Sequence, residues 1–367
     1  MNGNSIGKAL VLTCFGESHG ACVGAVIDGC PAGLPLTERD IQAEVDKRRP
    51  GFTLWSTKRK EEDKVEILSG VYRGYTTGAP ICMIVRNVDV KSEKYEEIRY
   101  KPRPGHADYT AYVKYGGYND YRGGGRFSGR ITVAYVMAGA IAKKLLRTIN
   151  VEVLAHTVQI GKVKIRRAPS YEEIRKNTYQ SPVRCADPEI ARLMEKEILE
   201  ASREGDSVGG IVEGVALNLP VGLGEPIFDS LDADIARMMF NIPAVKGVEF
   251  GAGFQAASMR GSENNDQYVI REGRIITLTN NSGGVLGGIS NGMPLIVRVA
   301  FKPTPSISKR QRTVDLKTMK EVEVEVAGRH DPCVVPRAVP VVEACLAFVL
   351  ADHALRSQRI PRVLKKG

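Results

Sequence analysis

A seven-residue segment occurs twice in this chain, and the repetition constrains the fold more than any other feature. The sequence Val-Gly-Ala-Val-Ile-Asp-Gly at 23–29 is matched by Val-Gly-Gly-Ile-Val-Glu-Gly at 208–214, with three identities over an offset of 185 residues. Each copy is followed by a proline-containing turn and a helical pattern that carries Asp-Ile, at 40–41 and 234–235. A match this short also arises by chance, but a true duplication predicts two similar αβ halves joined in one body.

Apolar periodicity and capping residues predict the main elements. Strands are expected at 5–16, 21–29, 65–71, 80–86 and 267–279, and helices at 38–48, 130–149, 188–204 and 338–357. Thr37 and Asp40 form a variant of the capping box for the first of these helices. Between the elements, 99–129 is rich in glycine, tyrosine and basic residues without a clean period, so it is predicted to be a long functional loop.

The length of 367 residues allows two domains or one large one. No linker is obvious, and we predict a single domain over 1–367 with related halves at roughly 1–185 and 186–367. The net charge of +10 favours an anionic partner, which could be a nucleic acid, a membrane surface or a small phosphorylated molecule.

No membrane span, secretion signal or disulfide framework is expected. No apolar run approaches ~18 residues, and the strongest candidate, 341–351, contains Glu343. The N-terminus lacks a charged start followed by an apolar core. The seven cysteines are odd in number and have no C-x-x-C spacing, which predicts core thiols in a reducing cytoplasm.

Three of the five histidines lie in loops marked by glycine, proline or charge. These are His19, His106 and His330, and their contexts favour general acid–base chemistry. The alternative for each is a loop histidine with a backbone partner. His156 and His353 fall within a strand and a helix pattern and are assigned to structure. Since none of the three loops has H-x-x-x-H or C-x-x-C spacing, no metal site is predicted.

The segment Gly-Gly-Gly-Arg-Phe-Ser-Gly-Arg at 123–130 leads directly into a predicted helix. Amide groups at a helix start, two guanidinium groups and a hydroxyl would form an anion site, although a tight turn is the alternative. A second glycine cluster at 283–288 and Lys-Pro-Thr-Pro-Ser at 302–306 could bring backbone close to a flat or phosphorylated ligand. The charged run at 58–63 is predicted to be a solvated loop.

Taken together and in order, eight segments of this chain resemble the chorismate synthase family. They are 15–20 (FGESHG), 48–51 (RRPG), 103–110 (RPGHADYT), 121–126 (YRGGGR), 244–249 (AVKGVE), 283–290 (GGVLGGIS), 302–304 (KPT) and 328–333 (GRHDPC). The resemblance covers nearly the whole chain. It implies a β-α-β sandwich of the α+β class, built from two related halves by an internal pseudo-two-fold duplication, which agrees with the repeated segment.

The resemblance also implies a function. Family members form chorismate by removing phosphate from C3 and a proton from C6 of 5-enolpyruvylshikimate 3-phosphate, the last step of the shikimate pathway. They require reduced FMN without net redox change, and NADPH is an expected source of its electrons. They are cytoplasmic homotetramers, and neither nucleic acid nor membrane is an expected partner.

The residue roles implied by the resemblance fall into three groups. His19 would assist departure of the phosphate, His106 would lie beside the reduced flavin, and Asp331 would accept a proton from flavin N5. The substrate would meet Arg48, Arg49, Arg103, Arg130 and Arg329, with Arg48 also contacting NADPH. The flavin would contact Arg126, Phe127, Ser128, Gly287, Lys302, Pro303, Thr304, Pro305, Ser306 and Arg329.

One departure from the family pattern concerns Leu54, where many bacterial relatives have another arginine. Lys58 or Arg59 is a candidate to replace it. Two rival functions remain at this point. The basic charge and the Arg/Tyr/Gly-rich loop suggest a nucleic-acid-binding protein, and the same flavin contacts would serve an ordinary flavin oxidoreductase.

Overall fold

The first copy of the repeated segment lies in the middle strand of an antiparallel sheet. The computed structural model describes residues 3–49, 63–88, 93–326 and 331–365. The strands of its first part are β1 (Ser5–Ile6), β2 (Val11–Gly16), β3 (Cys22–Asp28), β4 (Val65–Ile67), β5 (Val71–Tyr72), β6 (Tyr75–Thr76) and β7 (Ile81–Arg86). The sheet has the order β1-β2-β3-β7-β4, and β5 pairs with β6 as a separate hairpin. Alternate residues of β3, namely Val23, Ala25 and Ile27, are fully buried, as the sequence pattern predicts.

The second copy leads into the middle strand of another antiparallel sheet. The later strands are β8 (Glu152–Ile160), β9 (Val163–Lys164), β10 (Gly210–Leu217), β11 (Val245–Phe250), β12 (Tyr268–Arg271), β13 (Arg274–Thr277), β14 (Val285–Leu286), β15 (Ile289–Ser290), β16 (Leu295–Phe301), β17 (Gln311–Asp315) and β18 (Lys320–Val324). The second sheet has the order β11-β16-β10-β8-β9, and β12–β13, β14–β15 and β17–β18 form hairpins.

Helices occur in both halves of the chain, and two long ones lie between the sheets. The helices are α1 (Glu38–Arg48), α2 (Glu93–Ile98), α3 (Asp108–Lys114), α4 (Thr132–Arg147), α5 (Tyr171–Asn177), α6 (Pro188–Arg203), α7 (Leu231–Phe240), α8 (Gly261–Asn264) and α9 (Val335–Arg356). α4 packs on β3 of the first sheet, α9 packs on β8 and β10 of the second, and α4 and α9 pack on each other. The protein is therefore a β-α-β sandwich, as predicted.

The two halves repeat one topology. In chain order, β2, β3, α1, β4, β7 and α4 correspond to β8, β10, α7, β11, β16 and α9. The strand order β2-β3-β7-β4 of the first sheet is repeated as β8-β10-β16-β11 in the second. The duplication suggested by the repeated segment is thus visible in the fold, and its second set of elements begins at β8. The division into halves near residue 185 stays a prediction about the sequence.

The contact between α4 and α9 is close because a glycine lies at the crossing. A Cβ built on Gly139 would lie 2.3 Å from Cβ of Ala344, so a larger residue there would force the helices apart. By length and composition α9 could cross a membrane, with a mean hydropathy of 1.7 over 18 residues, but that whole window is buried inside the protein. The apolar window of α9 is therefore longer than the segment 341–351 that the sequence analysis gives as the strongest candidate for a membrane span.

Four predicted elements differ from the structure. The strand expected at 65–71 is divided into β4 (Val65–Ile67) and β5 (Val71–Tyr72), which belong to different sheets. The strand expected at 5–16 is divided into β1 and β2, because Gly7 turns the chain with φ +100°. The strand expected at 267–279 is the β12–β13 hairpin, whose two turn residues Glu272 and Gly273 both have positive φ. The loop expected at 99–129 contains α3, which the sequence pattern does not reveal because only Ala111 of that helix is buried.

Candidate active site

His19 lies in the turn between β2 and β3, with 6% of its surface exposed. β2 ends at Gly16, where φ is +89° and a Cβ would collide with the backbone carbonyl of Cys22. Asn87, just after β7, fixes the turn because its Nδ2 donates to the carbonyl of Gly20 at 2.8 Å. The imidazole is therefore held at the end of the first sheet, as the two flanking glycines predict.

Three successive glycines bring the two predicted catalytic histidines into one site. Gly123, Gly124 and Gly125 all have positive φ, at +59°, +82° and +52°. A Cβ on Gly123 would lie 2.4 Å from Cδ2 of His19, and a Cβ on Gly124 would lie 3.1 Å from Cε1 of His106. Each imidazole thus packs against one of two consecutive residues, and only glycine leaves room for both.

His106 is oriented by a carboxylate from its own loop. Its Nδ1 lies 2.6 Å from Oδ1 of Asp108. Arg103 donates to the same carboxylate through Nε at 2.8 Å and Nη2 at 2.9 Å. Burial opposes ionisation of Asp108, but hydrogen bonds from Arg103 and His106 outweigh it and hold the pKa of the carboxyl well below its usual range. Asp108 is therefore an anion that fixes both neighbours.

The segment 302–306 meets this loop from the second half of the chain. Arg103 donates through Nη1 to Oγ of Ser306 at 3.2 Å. Nζ of Lys302 donates to the carbonyl of Gly105. A Cβ on Gly105, which has φ +73°, would lie 3.4 Å from Cβ of Pro305. The structure therefore brings the Lys-Pro-Thr-Pro-Ser segment next to His106, although about 200 residues separate them in sequence.

The same segment retains an unused polar group that fits a polar ligand such as flavin. Oγ1 of Thr304 is buried and has no hydrogen-bond partner within the described part of the chain. The backbone carbonyl of Thr304 is already bound by Oγ of Ser207 at 2.7 Å. An unpaired buried hydroxyl costs roughly 1–3 kcal/mol, which a bound ligand could recover. The nearly flat prolines 303 and 305 flank this hydroxyl and have no N–H to be satisfied.

Asp331 lies at the end of the second half, close in sequence to α9. Its Oδ2 accepts a hydrogen bond from Nη1 of Arg337 at 2.5 Å. Pro332 accepts one from the N–H of Val208 at 2.8 Å, and Ser207 bonds Thr304 as described above. Asp331 is thus connected through residues 207–208 to the segment 302–306. Arg329 and His330 lie outside the described residues.

Arg48 and Arg130 meet at one buried carboxylate. Asp63 pairs with Nη1 of Arg48 at 3.3 Å and with Nη1 of Arg130. Arg48 also donates through Nε to Oγ1 of Thr132 at 2.9 Å. Arg130 donates through Nε to Oδ1 of Asn87 at 3.0 Å, which joins this cluster to the turn that carries His19. Two guanidinium groups therefore share this one carboxylate.

Arg126, Phe127 and Ser128 continue from the glycine turn. Arg126 donates through Nη1 to the carbonyl of Gly16 at 3.0 Å, so it holds the end of β2. Oγ of Ser128 accepts the N–H of Arg130 at 3.3 Å. Phe127 is 38% exposed, and its ring centroid lies 6.5 Å from that of Tyr115. These residues adjoin the histidine turn because they directly follow Gly125.

Two predicted residues lie apart from this group. Arg49 pairs with Asp46 on α1 at 3.0 Å. Gly287 lies in the turn between β14 and β15. The carbonyl of the following residue, Gly288, accepts a hydrogen bond from the N–H of Leu231 at the start of α7. Among the described residues, no hydrogen bond or ion pair joins Arg49 or Gly287 to the loops that carry His19 and His106.

Sequence reasoning missed four residues that hold this site. Asp63 was expected in a solvated charged run, yet it is buried, because two arginines pair with it. Asn87 and Asp108 could have been found, since one directly follows a predicted strand and the other lies in a motif. Tyr95, whose ring meets that of His19 edge-on at 5.2 Å, gave no signal. Across the described ranges, no three His, Cys, Asp or Glu side chains are grouped as metal ligands.

Comparison with known proteins identifies the family. The family model described as chorismate synthase matches residues 10–355. A chorismate synthase of Korarchaeum cryptofilum is 58% identical over 98% of this chain and 99% of its own length. One from Dehalococcoides mccartyi is 56% identical over 99% of this chain and 100% of its own.

A solved structure agrees with these relatives. A crystal structure of a chorismate synthase superposes with a TM-score of 0.74 at 33% identity, covering 96% of this chain and 93% of that one. Sequence and fold match over nearly the full length in each case, which confirms the resemblance found in the motifs. The chain therefore belongs to the chorismate synthase family, whose members are lyases of aromatic amino acid biosynthesis.

Proposed function

We propose that this chain converts 5-enolpyruvylshikimate 3-phosphate to chorismate by eliminating phosphate from C3 and a proton from C6. The observation that carries the proposal is the packing of His19 and His106 against consecutive glycines of one turn. This arrangement places two groups that can hold or move protons beside a cationic segment. The comparisons name the same activity in relatives and favour neither a flavin oxidoreductase nor a nucleic-acid-binding protein.

The substrate carries two carboxylates and a phosphate, so its site needs several cations. Arginine suits this role because its planar fork pairs with both groups. Arg48, Arg103 and Arg130 are the proposed contacts in the described part of the chain, and Arg49 and Arg329 are proposed on the resemblance. Arg48 and Arg130 share Asp63, so they are already fixed before the substrate binds.

His19 is the proposed proton donor to the departing phosphate. A positioned imidazole lowers the barrier to such a departure, because it neutralises charge as the C–O bond breaks. Burial of His19 supports this role, since exclusion of water strengthens the interaction of the imidazolium with the phosphate.

Reduced FMN is the proposed cofactor, and it would supply the electron-rich ring that carries the difficult electronic step without net redox change. Residues 126–128 and 302–306 would hold it, together with Gly287 and Arg329. His106, fixed by Asp108, would lie beside the ring. Asp331 would accept a proton from N5, and Arg337 holds the carboxylate in place by donating through Nη1 to its Oδ2 at 2.5 Å.

NADPH is a further proposal, as the source of electrons for the flavin, with Arg48 as a contact. Arg48 has only 2% of its surface exposed and donates to Thr132, Asp63 and Gly129. A direct contact with so large a nucleotide therefore requires the surroundings of Arg48 to move. Leu54, Lys58 and Arg59, which bear on the same contact, lie outside the described residues.

A homotetramer in the cytoplasm is the proposed state of the protein, with no nucleic acid or membrane as partner. Exposed apolar side chains support self-association, because such patches on a protein surface mark contact sites. Tyr268, Ile270 and Ile275 of the β12–β13 hairpin are 64%, 78% and 69% exposed, and Phe254 is 84% exposed.

An anaerobic assay of phosphate release tests the proposed reaction. With reduced FMN present, phosphate and chorismate should form in equal amounts while the quantity of reduced FMN stays constant. Without it, or with oxidised FMN alone, phosphate release should fall to background. Loss of one reduced FMN per chorismate would instead support an oxidoreductase, and release independent of flavin would overturn the cofactor assignment.

A further inference from the structure

Lys246 belongs to the segment 244–249 but has been given no role so far. It is the extra residue of a β-bulge in the pairing of β11 with β16. Val245 lies opposite Phe301 and Gly247 lies opposite Ala300, so Lys246 has no opposite residue in the described ladder. A bulge re-aims the side chain of its extra residue, and bulges are frequent beside active sites.

The bulge lies directly beside Lys302. The N–H of Lys302 donates to the carbonyl of Ala244 at 2.9 Å, and its Nζ reaches the carbonyl of Gly105, next to His106. The bulge, the start of the segment 302–306 and the His106 loop therefore meet at one place. Thr304, with its unpartnered buried hydroxyl, lies two residues further along the chain.

Within the described residues, two positive charges gather here and no carboxylate is paired with either. Burial and the charge of Lys246 both lower the pKa of Lys302. In the part of the chain that the structure describes, neither Lys246 nor Lys302 forms an ion pair with a carboxylate. Holding two ammonium groups close together is unfavourable, and a bound dianion would remove the repulsion.

We propose that Lys246 and Lys302 form a subsite for a phosphate monoester, in which Lys246 supplies the second cation and Thr304 a hydroxyl donor. This inference rests on the proposed function, which provides two such groups, the phosphate of FMN and that of the substrate. Lys246 is a binding residue of this subsite and takes no part in proton transfer.

Titration of flavin fluorescence with the intact protein tests the subsite. FMN and riboflavin differ only in the phosphate, so Lys246→Gln should weaken FMN binding by roughly ten-fold or more, as expected for loss of a charge-assisted contact. Riboflavin binding should change by less than about two-fold, because its ring contacts remain. Lys246→Arg keeps the charge and should retain most of the affinity for FMN. Lys196→Gln on α6, whose side chain is 73% exposed, is the matched control and should change neither.

A second measurement identifies which phosphate binds. If the substrate's phosphate occupies the subsite, Lys246→Gln leaves FMN affinity unchanged and raises the KM for 5-enolpyruvylshikimate 3-phosphate at saturating reduced FMN. The subsite is overturned if neither quantity changes, or if FMN and riboflavin weaken equally. Failure of the proposed function is a separate result, since it shows as absent phosphate release in the unaltered protein.

Discussion

His19 is enclosed by the ring edge of Tyr95 and by the backbone at Gly123. We expect His19→Ala to lower kcat for phosphate release by roughly 10²–10⁴, the range for loss of a positioned proton donor. Affinity for FMN should stay near that of the unaltered protein, because the proposed flavin contacts come from other segments. Single-turnover release at saturating substrate and reduced FMN, together with a flavin titration, measures the two quantities.

The same variant needs a check of its fold, since removal of a buried ring leaves a cavity. Thermal unfolding of His19→Ala provides this check. Tyr95→Phe is measured for comparison, because that variant keeps an aromatic ring against His19. An unaltered single-turnover rate in His19→Ala would remove this histidine from the chemistry. A rate that falls only in proportion to folded protein would make its role structural.

Single residues also show why part of the site could be predicted from the sequence. His19 and His106 could be identified from the sequence, because each lies in a short segment whose glycine or proline residues mark a functional loop. Asp63 does not, since a charged run reads as solvated until two distant arginines are known to pair with it. The position of Lys246 beside the segment that begins at Lys302 likewise depends on a bulge, which no pattern in the sequence specifies.

At the scale of elements, the end of α9 is joined to other parts of the fold by a charged network. Nε2 of His353 donates a hydrogen bond to Oδ2 of Asp234 of α7 at 2.9 Å. Arg356 contacts Asp234 and Asp229, and Oδ1 of Asp352 accepts the N–H of Leu10 at 2.8 Å. The network ties the first strands of the chain to the helices of its second half.

Burial and the charge of Arg356 lower the pKa of His353 below its ordinary value of 6.5, although Asp234 opposes them. The unfolded chain therefore binds this proton more readily than the folded one, and the free energy of unfolding should fall as pH drops below 6.5. Denaturant unfolding at pH 7.5 and 5.5, at fixed protein concentration, should show a smaller fall for His353→Gln. An equal fall in both proteins would exclude His353 as the cause.

Elements differ in how well their sequence predicts them. α1 begins and ends as expected at 38–48, because Asp40 accepts hydrogen bonds from both the N–H and the hydroxyl of Thr37. α6 likewise begins at Pro188, with Asp187 as its cap. α3 was missed, since a short exposed helix has no apolar stripe and gains its order from neighbouring loops.

At the scale of the whole molecule, the exposed β12–β13 hairpin bears on the proposed tetramer. Ile270 and Ile275 lie directly opposite each other in the hairpin, so they form one exposed apolar pair. We expect Ile270→Asp with Ile275→Asp to yield a smaller assembly, because two charges would be buried in the contact. Light scattering after size-exclusion chromatography measures the mass.

Leu193→Asp on α6, where the leucine is 47% exposed, is the control and should keep the mass of the unaltered protein. A tetramer that survives the double change would place the contact between copies elsewhere. A monomeric unaltered protein would contradict the proposed assembly itself.

The duplicated architecture was within reach of the residue pattern, whereas the β-α-β layering could be predicted only from the resemblance to the family. The repeated segment indicated two similar halves because a duplicated strand keeps its apolar alternation. Which sheet each helix covers depends on contacts between residues far apart, such as Gly139 with Ala344. Such contacts depend on how the shapes of packed residues fit together and not on a periodic pattern in the sequence, so only the structure reveals them.

In the turn of three glycines, the main chain itself and no side chain forms the surface on which two imidazoles rest. A side chain can change its rotamer when a neighbouring residue changes, whereas the bond lengths and angles of the peptide backbone are fixed. With His19 against Gly123 and His106 against Gly124, both imidazoles rest on the main chain of two consecutive residues. The proposed proton donor and the proposed flavin-side histidine would therefore each keep a fixed contact with the main chain while substrate and product pass.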